Sequence, residues 1–142
     1  MSGFFYVLDD EARLLVVDDD PILRAFAQVN LASPTTQVDV ADGGAQALAM
    51  LAAGRYDAVL LDLEMPGMDG FTVLSRIRSD PALTDMPVVV QTGREDVEAI
   101  DRCFHLGATS FVTKPANWRL LAYQLRYVLR AERVRRAARA AA

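Results

Sequence analysis

Apolar residues follow two alternating patterns along this chain. Five short apolar segments, typical of strands, alternate with five segments in which apolar residues recur every three or four positions, as in amphipathic helices. The predicted strands are centred on residues 14–17, 38–40, 58–61, 88–90 and 111–112. The predicted helices carry the stripes Ile22, Phe26 and Val29; Leu48 and Leu51; Phe71, Leu74 and Ile77; Val97, Ile100 and Phe104; and Leu121, Leu125 and Val128.

Turn and capping residues separate these segments. Asp20 followed by Pro21 is typical of a helix N-cap with proline in the first turn. Gly54 and Gly107 stand where helices should end, and a long helix should begin near Asn117. The order of elements is therefore five strand–helix units.

The strand patterns predict the kind of sheet. Most strands are apolar on both faces, which indicates a parallel sheet covered by helices on both sides, whereas Val38 and Val40 alternate with polar residues, as in an edge strand. The expected fold class is α/β, a doubly wound (βα)5 domain. At 142 residues, the chain has the size of one domain with a substantial core.

Composition narrows the functional classes. No apolar run approaches the roughly 18 residues that span a bilayer, and the start lacks the basic region of a signal peptide. The single cysteine, Cys103, cannot form an internal disulfide, which favours the cytoplasm, and its helical stripe predicts a buried side chain. The net charge of −4 divides into −10 before residue 116 and +6 from there onward. Concentrated acid favours a cation site, and the basic end indicates a separate role for the last helix.

Polar residues follow four of the predicted strands at their carboxyl ends. Asp18 and Asp19 follow the first strand, Asp62 ends the third, Thr92 the fourth and Lys114 the fifth. Ligands of such sheets bind at this edge, so three acids, a hydroxyl and a lysine should converge there. A hard divalent cation relieves repulsion among carboxylates, and a carboxylate can accept a phosphoryl group as a nucleophile. Mg²⁺ and an ammonium group supply the charge neutralisation that this reaction needs.

Four motifs resemble the receiver domains of two-component response regulators over about residues 13–132. They are Leu15-Val16-Val17-Asp18-Asp19-Asp20-Pro21, Leu61-Asp62-Leu63-Glu64-Met65-Pro66-Gly67-Met68-Asp69-Gly70, Thr92-Gly93 and Phe111-Val112-Thr113-Lys114-Pro115. The resemblance implies a flavodoxin-like fold, like that of chemotaxis receivers, with strand order 2-1-3-4-5. It also implies a protein that receives a phosphoryl group from a sensor histidine kinase or a phosphotransfer protein. Such a domain is not an enzyme in its own right, although it can catalyse both its own phosphorylation and its own dephosphorylation, which is slow.

The resemblance assigns roles to individual residues. Asp62 would be the phosphoacceptor, with Lys114 and Thr92 contacting the phosphoryl group. Asp19, Asp62 and the backbone carbonyl of Glu64 would bind Mg²⁺, with Asp18 acting through a metal-bound water. The family's usual cis peptide would join Lys114 to Pro115.

The resemblance also assigns a switch and two tuning positions. Phe111 would rotate inward in the space that Thr92 vacates on moving to the phosphoryl group. Glu64 and Arg94 lie two residues beyond Asp62 and Thr92, where family members regulate the access of hydrolytic water. Our hypothesis is that their opposite charges pair across the pocket and slow dephosphorylation; the alternative is two exposed charges without a role.

The last helix continues beyond what one receiver needs. We divide the chain into a leader (residues 1–12), a receiver (13–132) and a basic helical extension or linker (133–142). Because apolar positions thin out, packing within the chain does not account for the extension. It could lead to a C-terminal effector, and Asn117-Trp118 with Leu120-Leu121 resembles receivers that precede diguanylate cyclases. It could instead support a homodimer; nucleic-acid binding is the weakest reading because no recognition motif is present.

Two other functions remain open. A Mg²⁺-dependent phosphatase of the haloacid dehalogenase type also uses an aspartyl nucleophile, but its Asp-x-Asp motif belongs on the first strand, and residue 64 here is Glu. A pseudo-receiver would act as an interaction or dimerisation module without phosphorylation. Beryllofluoride or acetyl phosphate with Mg²⁺ discriminates among the three.

Overall fold

Ten elements alternate strictly between strand and helix. The computed structural model describes residues 6–9, 11–93, 97–114 and 117–141. The strands are β1 (Ala12–Val17), β2 (Thr36–Ala41), β3 (Ala58–Asp62), β4 (Val88–Thr92) and β5 (Ser110–Thr113). The helices are α1 (Pro21–Leu31), α2 (Gly44–Ala53), α3 (Gly70–Ser79), α4 (Val97–His105) and α5 (Trp118–Ala141).

The five strands form one parallel sheet in the order β2-β1-β3-β4-β5. This arrangement confirms the predicted fold class and strand order. The strand with the alternating pattern, β2, lies at an edge, while every residue of β3 and β4 is buried. Continuous apolar sequence therefore marks the strands that are covered on both faces.

The core is divided by the sheet into two layers. One layer packs α2, α3 and α4 against side chains such as Leu15, Val59 and Val90. The other packs α1 and α5 against the alternate residues, including Leu60 and Val89. Since side chains alternate between faces, residues two apart on a strand belong to the same layer.

Capping residues define the starts of α1 and α3, and the cap of α1 was predicted from the sequence. Asp20 caps α1, where its side chain accepts a hydrogen bond of 2.9 Å from the backbone N–H of Ile22, and Pro21 is the first helical residue. Asp69 caps α3 through a 2.9 Å bond from the N–H of Thr72. These carboxylates satisfy amide groups that would otherwise lack partners in the first turn.

The apolar stripes predicted on α1 and α4 are largely exposed to solvent. Ile22, Phe26 and Val29 of α1 are exposed, Val29 by 80%, and Val97 of α4 is 71% exposed. The buried residues are smaller or lie on the adjacent face: Ala27 and Leu31 in α1, Ala99 and Cys103 in α4. Small residues allow these helices to lie close to the sheet, so most of the large residues of the two stripes are not the buried ones. Burial of Cys103 is confirmed.

Polar contacts, which the sequence analysis did not anticipate, hold the C-terminal part of α5. Glu132 is buried and accepts hydrogen bonds of 3.1–3.2 Å from Arg135, Arg136 and Arg139. Burial alone would raise the pKa of Glu132, but the hydrogen bonds from Arg139 and Arg135 keep it below its ordinary value. Arg136 also lies 4.0 Å from Asp57. Side chains of the chain itself therefore anchor the start of the extension.

The segment before β1 also packs against the domain. Val7 and Leu8 are buried in the α1–α5 layer. The carbonyl of Val7 accepts a 3.2 Å hydrogen bond from Arg126, and that of Leu8 accepts a 3.4 Å bond from Thr36. Within the described part of the chain, no helix is long and apolar enough to cross a membrane.

Trp118 and Tyr123, two aromatic residues near the start of α5, differ in their exposure. Tyr123 is exposed, whereas Trp118 is half-buried and packs on the α1–α5 layer. The predicted stripe of Leu121, Leu125 and Val128 is buried in that layer.

Candidate functional site

Four strand ends meet at one edge of the sheet. Asp18 follows β1, Asp62 ends β3, Thr92 ends β4 and Lys114 follows β5. The parallel register places Val17 beside Leu61 and Asp62 beside Gln91, so the residues that end neighbouring strands are at one level. We call this group of strand ends the acidic rim.

Lys114 bridges two buried carboxylates of the acidic rim. Its Nζ donates a 3.0 Å hydrogen bond to Oδ2 of Asp18 and lies 3.2 Å from Oδ2 of Asp62. Asp18 and Asp62 are only 2% and 3% exposed. Lys114 itself is partly exposed, so the pair of acids lies beneath an ammonium group that still reaches solvent.

Local backbone contacts fix the orientation of both acids. Oδ1 of Asp18 accepts a 2.9 Å hydrogen bond from the N–H of Asp20, while Arg24 donates a 2.8 Å bond to the carbonyl of Asp18. Oδ1 of Asp62 accepts a 3.2 Å bond from the N–H of Glu64. Each carboxylate therefore uses one oxygen to hold its position and offers the other to Lys114.

The environment raises the pKa of Asp62 to about 6. Burial is the main cause and the negative charge of Asp18 adds to it, while Lys114 and the N–H of Glu64 act in the opposite direction. Burial would lower the pKa of Lys114, but its hydrogen bond to Asp18 and the charge of Asp62 raise it. At neutral pH the acidic rim thus holds an ionised carboxylate that the fold disfavours.

We expect Asp62→Asn to stabilise the protein at pH 8 without divalent cations. The pKa of the Asp62 carboxyl rises from 3.8 to about 6 on folding. Below pH 3.8 the carboxyl is protonated in both states and does not lower the stability of the fold. As the pH rises through 6, the buried carboxyl must ionise, and the folded protein loses stability. At pH 8 the variant should gain about 2 to 3 kcal/mol in free energy of unfolding, and at pH 4 only about 0.5 kcal/mol from this source. Urea unfolding at both pH values measures the difference.

The matched control for this pH effect is Asp42→Asn, at an exposed carboxylate. It should show no comparable gain at pH 8. Equal stability of Asp62→Asn and the parent protein at pH 8 would contradict the raised pKa.

Asp19 lies beside the two carboxylates of the acidic rim, and the three together fit a divalent cation. One oxygen each from Asp18, Asp19 and Asp62 lies within 4.8 Å of the others, and Asp19 is exposed to solvent. Lys114 supplies one positive charge against these three acids, so a negative excess remains. Oxygen ligands with an open side toward water suit Mg²⁺, which keeps part of its hydration shell.

The other predicted site residues that the structure describes differ in their burial and contacts. Thr92 is buried at the end of β4, and the carbonyl of Thr92 accepts a 2.8 Å hydrogen bond from the N–H of Lys114. Phe111 is half-buried, with its ring edge-to-face against Phe104 at 6.0 Å between centroids. Glu64 is exposed at the edge of the site.

Two of the predicted features lie outside the described residues. Arg94 is one, so its pairing with Glu64 stays a prediction. The peptide bond between Lys114 and Pro115 is the other, because Pro115 is not described.

Sequence reasoning missed two polar residues at the acidic rim. Arg24 binds the carbonyl of Asp18 from the first turns of α1, a contact that residue spacing does not reveal. Gln91 is buried in β4 beside Asp62. The sequence contains a sign of this residue, because a polar glutamine directly follows three valines of an apolar strand. The structure shows that the whole strand is buried.

The chain belongs to the response regulator receiver domain family, whose model matches residues 14–126. It is 38% identical over 123 residues to the response regulator PleD of Caulobacter vibrioides, covering 84% of this chain and 26% of that protein. It is 32% identical over 118 residues to the DNA-binding dual master transcriptional regulator RpaA of a Synechocystis species, covering 83% of this chain and 49% of that protein. The chain thus spans half or less of the length of these relatives.

Solved receiver structures have the same fold. The chemotaxis protein CheY4 of Vibrio cholerae matches with a TM-score of 0.78 and 29% identity, over 82% of this chain and 98% of that chain. The receiver domain of a histidine kinase from Syntrophus aciditrophicus gives a TM-score of 0.78 at 28% identity, over 84% and 91% of the two chains.

Proposed function

We propose that this receiver domain accepts a phosphoryl group on Asp62 from a sensor histidine kinase or a phosphotransfer protein. The carboxylate oxygen of Asp62 attacks the phosphorus atom, and the phosphorus–nitrogen bond of the donor phosphohistidine breaks. The electron pair of that bond remains on the imidazole nitrogen, which takes up a proton. The product is an acyl phosphate on Asp62.

The observation that carries this proposal is the bridge from Lys114 to Asp62 and Asp18. A lysine that spans from β5 to acids at the ends of β1 and β3 places a positive charge where a phosphoryl group on Asp62 would lie. Phosphoryl transfer depends mainly on positioning and on neutralising the charge of the phosphoryl oxygens. Thr92, at the adjacent strand end, would donate a hydroxyl hydrogen bond to one of those oxygens.

Mg²⁺ is the proposed cofactor. Asp19, Asp62 and the backbone carbonyl of Glu64 would hold it, and Asp18 would contact one of its waters. When bound, the ion supplies positive charge to the phosphoryl oxygens. Lys114, which now pairs with Asp18 and Asp62, would then turn from the carboxylates toward the phosphoryl group.

The switch is proposed to involve Thr92 and Phe111. Movement of the Thr92 side chain toward the phosphoryl group would open space beside β5 into which Phe111 rotates. The half-buried ring of Phe111 against Phe104 is the starting position for this rotation. Because Phe104 lies on α4, the surface formed by α4 and β5 would change on phosphorylation.

Partners and output follow from the same proposal. The named relatives are longer proteins, one a response regulator and the other described as a DNA-binding transcriptional regulator. We propose that residues 133–142 either lead to an effector or support a homodimer, and we propose no nucleic-acid contact for the receiver itself. The single buried cysteine suits a protein of the reducing cytoplasm.

Acetyl phosphate with Mg²⁺ tests the proposal. The full chain should gain one phosphoryl group per molecule, visible as about 80 Da by intact mass spectrometry, and Asp62→Asn should gain none. Asp42→Asn, at an exposed acid, should be phosphorylated like the parent. Absence of an adduct with acetyl phosphate and with Mg²⁺–beryllofluoride would favour a pseudo-receiver, and continuous release of phosphate at enzyme-like rates would favour a phosphatase.

A further inference from the structure

Gln91 is a buried polar residue that the proposed function does not use. It precedes Thr92 in β4, is 3% exposed, and pairs with Asp62 in the parallel register. Residues paired in this way lie on the same face of a sheet. Val89 and Leu60, two positions earlier on the two strands, both belong to the α1–α5 layer, so Gln91 and Asp62 lie on that face together.

The amide nitrogen of Gln91 lacks an acceptor. Within the described residues, Nε2 is fully buried and donates no hydrogen bond. An unpaired buried donor weakens a fold, and almost all buried polar groups in native proteins have partners. A methionine or leucine would fill this position without that cost. The presence of an amide is therefore explained if an acceptor for it becomes available in another state of the protein.

Lys114 shows where such an acceptor would arrive. The lysine follows β5 and contacts acids at the ends of β1 and β3, so its side chain must cross β4, the strand that carries Gln91. The oxygens that it contacts belong to Asp18 and Asp62. A phosphoryl group on Asp62 would bring several new acceptor oxygens to this place, and Gln91 is the neighbour of Asp62 in the ladder.

We propose that Gln91 is a further positioning residue for phosphoryl transfer, and that its Nε2 donates a hydrogen bond to an oxygen of the phosphorylated Asp62 side chain. The inference rests on the proposed function. The free protein bears the cost of an unpaired donor, and the phosphorylated protein gains the bond. Gln91 thereby shifts the equilibrium toward the phosphorylated form and slows loss of the phosphoryl group.

Gln91→Met tests this, because it removes the amide and keeps the length of the side chain. Binding of beryllofluoride with Mg²⁺, measured by calorimetry, should weaken about tenfold, the equivalent of one hydrogen bond. The phosphorylated form made with acetyl phosphate should decay faster by a similar factor. The melting temperature of the free variant should rise, because the unpaired donor is gone.

A positioning role predicts that the free variant is more stable and its adduct weaker. A role in packing alone predicts a less stable free protein. Val89→Leu perturbs the same face of β4 two residues deeper; it should lower the melting temperature and change beryllofluoride affinity less than twofold. Unchanged adduct affinity and lifetime in Gln91→Met would overturn the inference, as would equal weakening in Val89→Leu. Absence of any adduct in the parent protein would instead refute the proposed function.

Discussion

Lys114→Met should slow phosphorylation of Asp62 by acetyl phosphate about 100-fold or more. Removing one group that stabilises developing charge typically costs this much in rate. The ammonium group lies 3.0 and 3.2 Å from the two buried acids, and methionine fills a similar space without charge. The rate is read as the growth of the phosphorylated mass with time at fixed Mg²⁺.

The same substitution should destabilise the free protein at pH 8. Asp18 and Asp62 would then lie buried and close together without a counter-charge, which costs about 3 kcal/mol when one partner of a buried pair is removed. The loss should be smaller at pH 5, since Asp62, with its raised pKa, takes up a proton there. Arg119→Met removes an exposed cation from the first turn of α5 and is the matched control. Equal rates in Lys114→Met and the parent would contradict the role of the bridge.

Lys114 is the only lysine in the chain; the other 14 basic residues are arginines. The difference between lysine and arginine side chains explains why a lysine suits this position. A flexible four-carbon stem with a compact ammonium group can cross β4 and turn its three donors among several oxygens, whereas the planar guanidinium group requires a fixed paired geometry. The proposed function requires Lys114 to contact two carboxylates in one state and a phosphoryl group in another, which suits lysine better than arginine.

The sheet and the convergence at its edge could be predicted because both depend on short-range pattern. Apolar runs on both faces identify β1, β3 and β4, alternation identifies the edge strand β2, and parallel strands bring their carboxyl ends to one side. The sequence alone therefore groups Asp18, Asp62, Thr92 and Lys114 at one edge of the sheet. Their roles came from the family resemblance.

Three features could not be predicted because they depend on packing between distant segments. The sequence does not show that small residues such as Ala27 and Ala99 face the core while Val29 and Val97 face solvent. It does not show which of two adjacent acids is buried, and the structure buries Asp18 and exposes Asp19.

The anchoring of α5 is the third such feature. Glu132 looks like an ordinary surface acid in an arginine-rich helix, yet it is buried and holds three arginines. Residue spacing alone does not show that this carboxylate is buried.

Gly70→Ala should destabilise the protein by about 3 kcal/mol or more. Gly70 begins α3, and its N–H donates a 3.0 Å hydrogen bond to the carbonyl of Leu63. A methyl group on Gly70 would overlap the carbonyl oxygen of Asp62 and lie 2.6 Å from Cα of Leu63. Backbone atoms cannot turn aside as a flexible side chain can, so the strand end that carries Asp62 must move, at a cost at or above the usual range for overpacking.

The displacement should also impair the site, because Asp62 is the residue whose backbone is pushed. Urea unfolding measures the stability, and the yield of the Mg²⁺–beryllofluoride adduct, assayed under conditions where the variant is still folded, measures the site. Gly93→Ala is the matched control for stability: its methyl group would meet nothing within 4 Å, so its free energy of unfolding should change by less than about 0.5 kcal/mol. If Gly70→Ala were as stable as Gly93→Ala, the close approach of α3 to the end of β3 would not be what holds Asp62 in place.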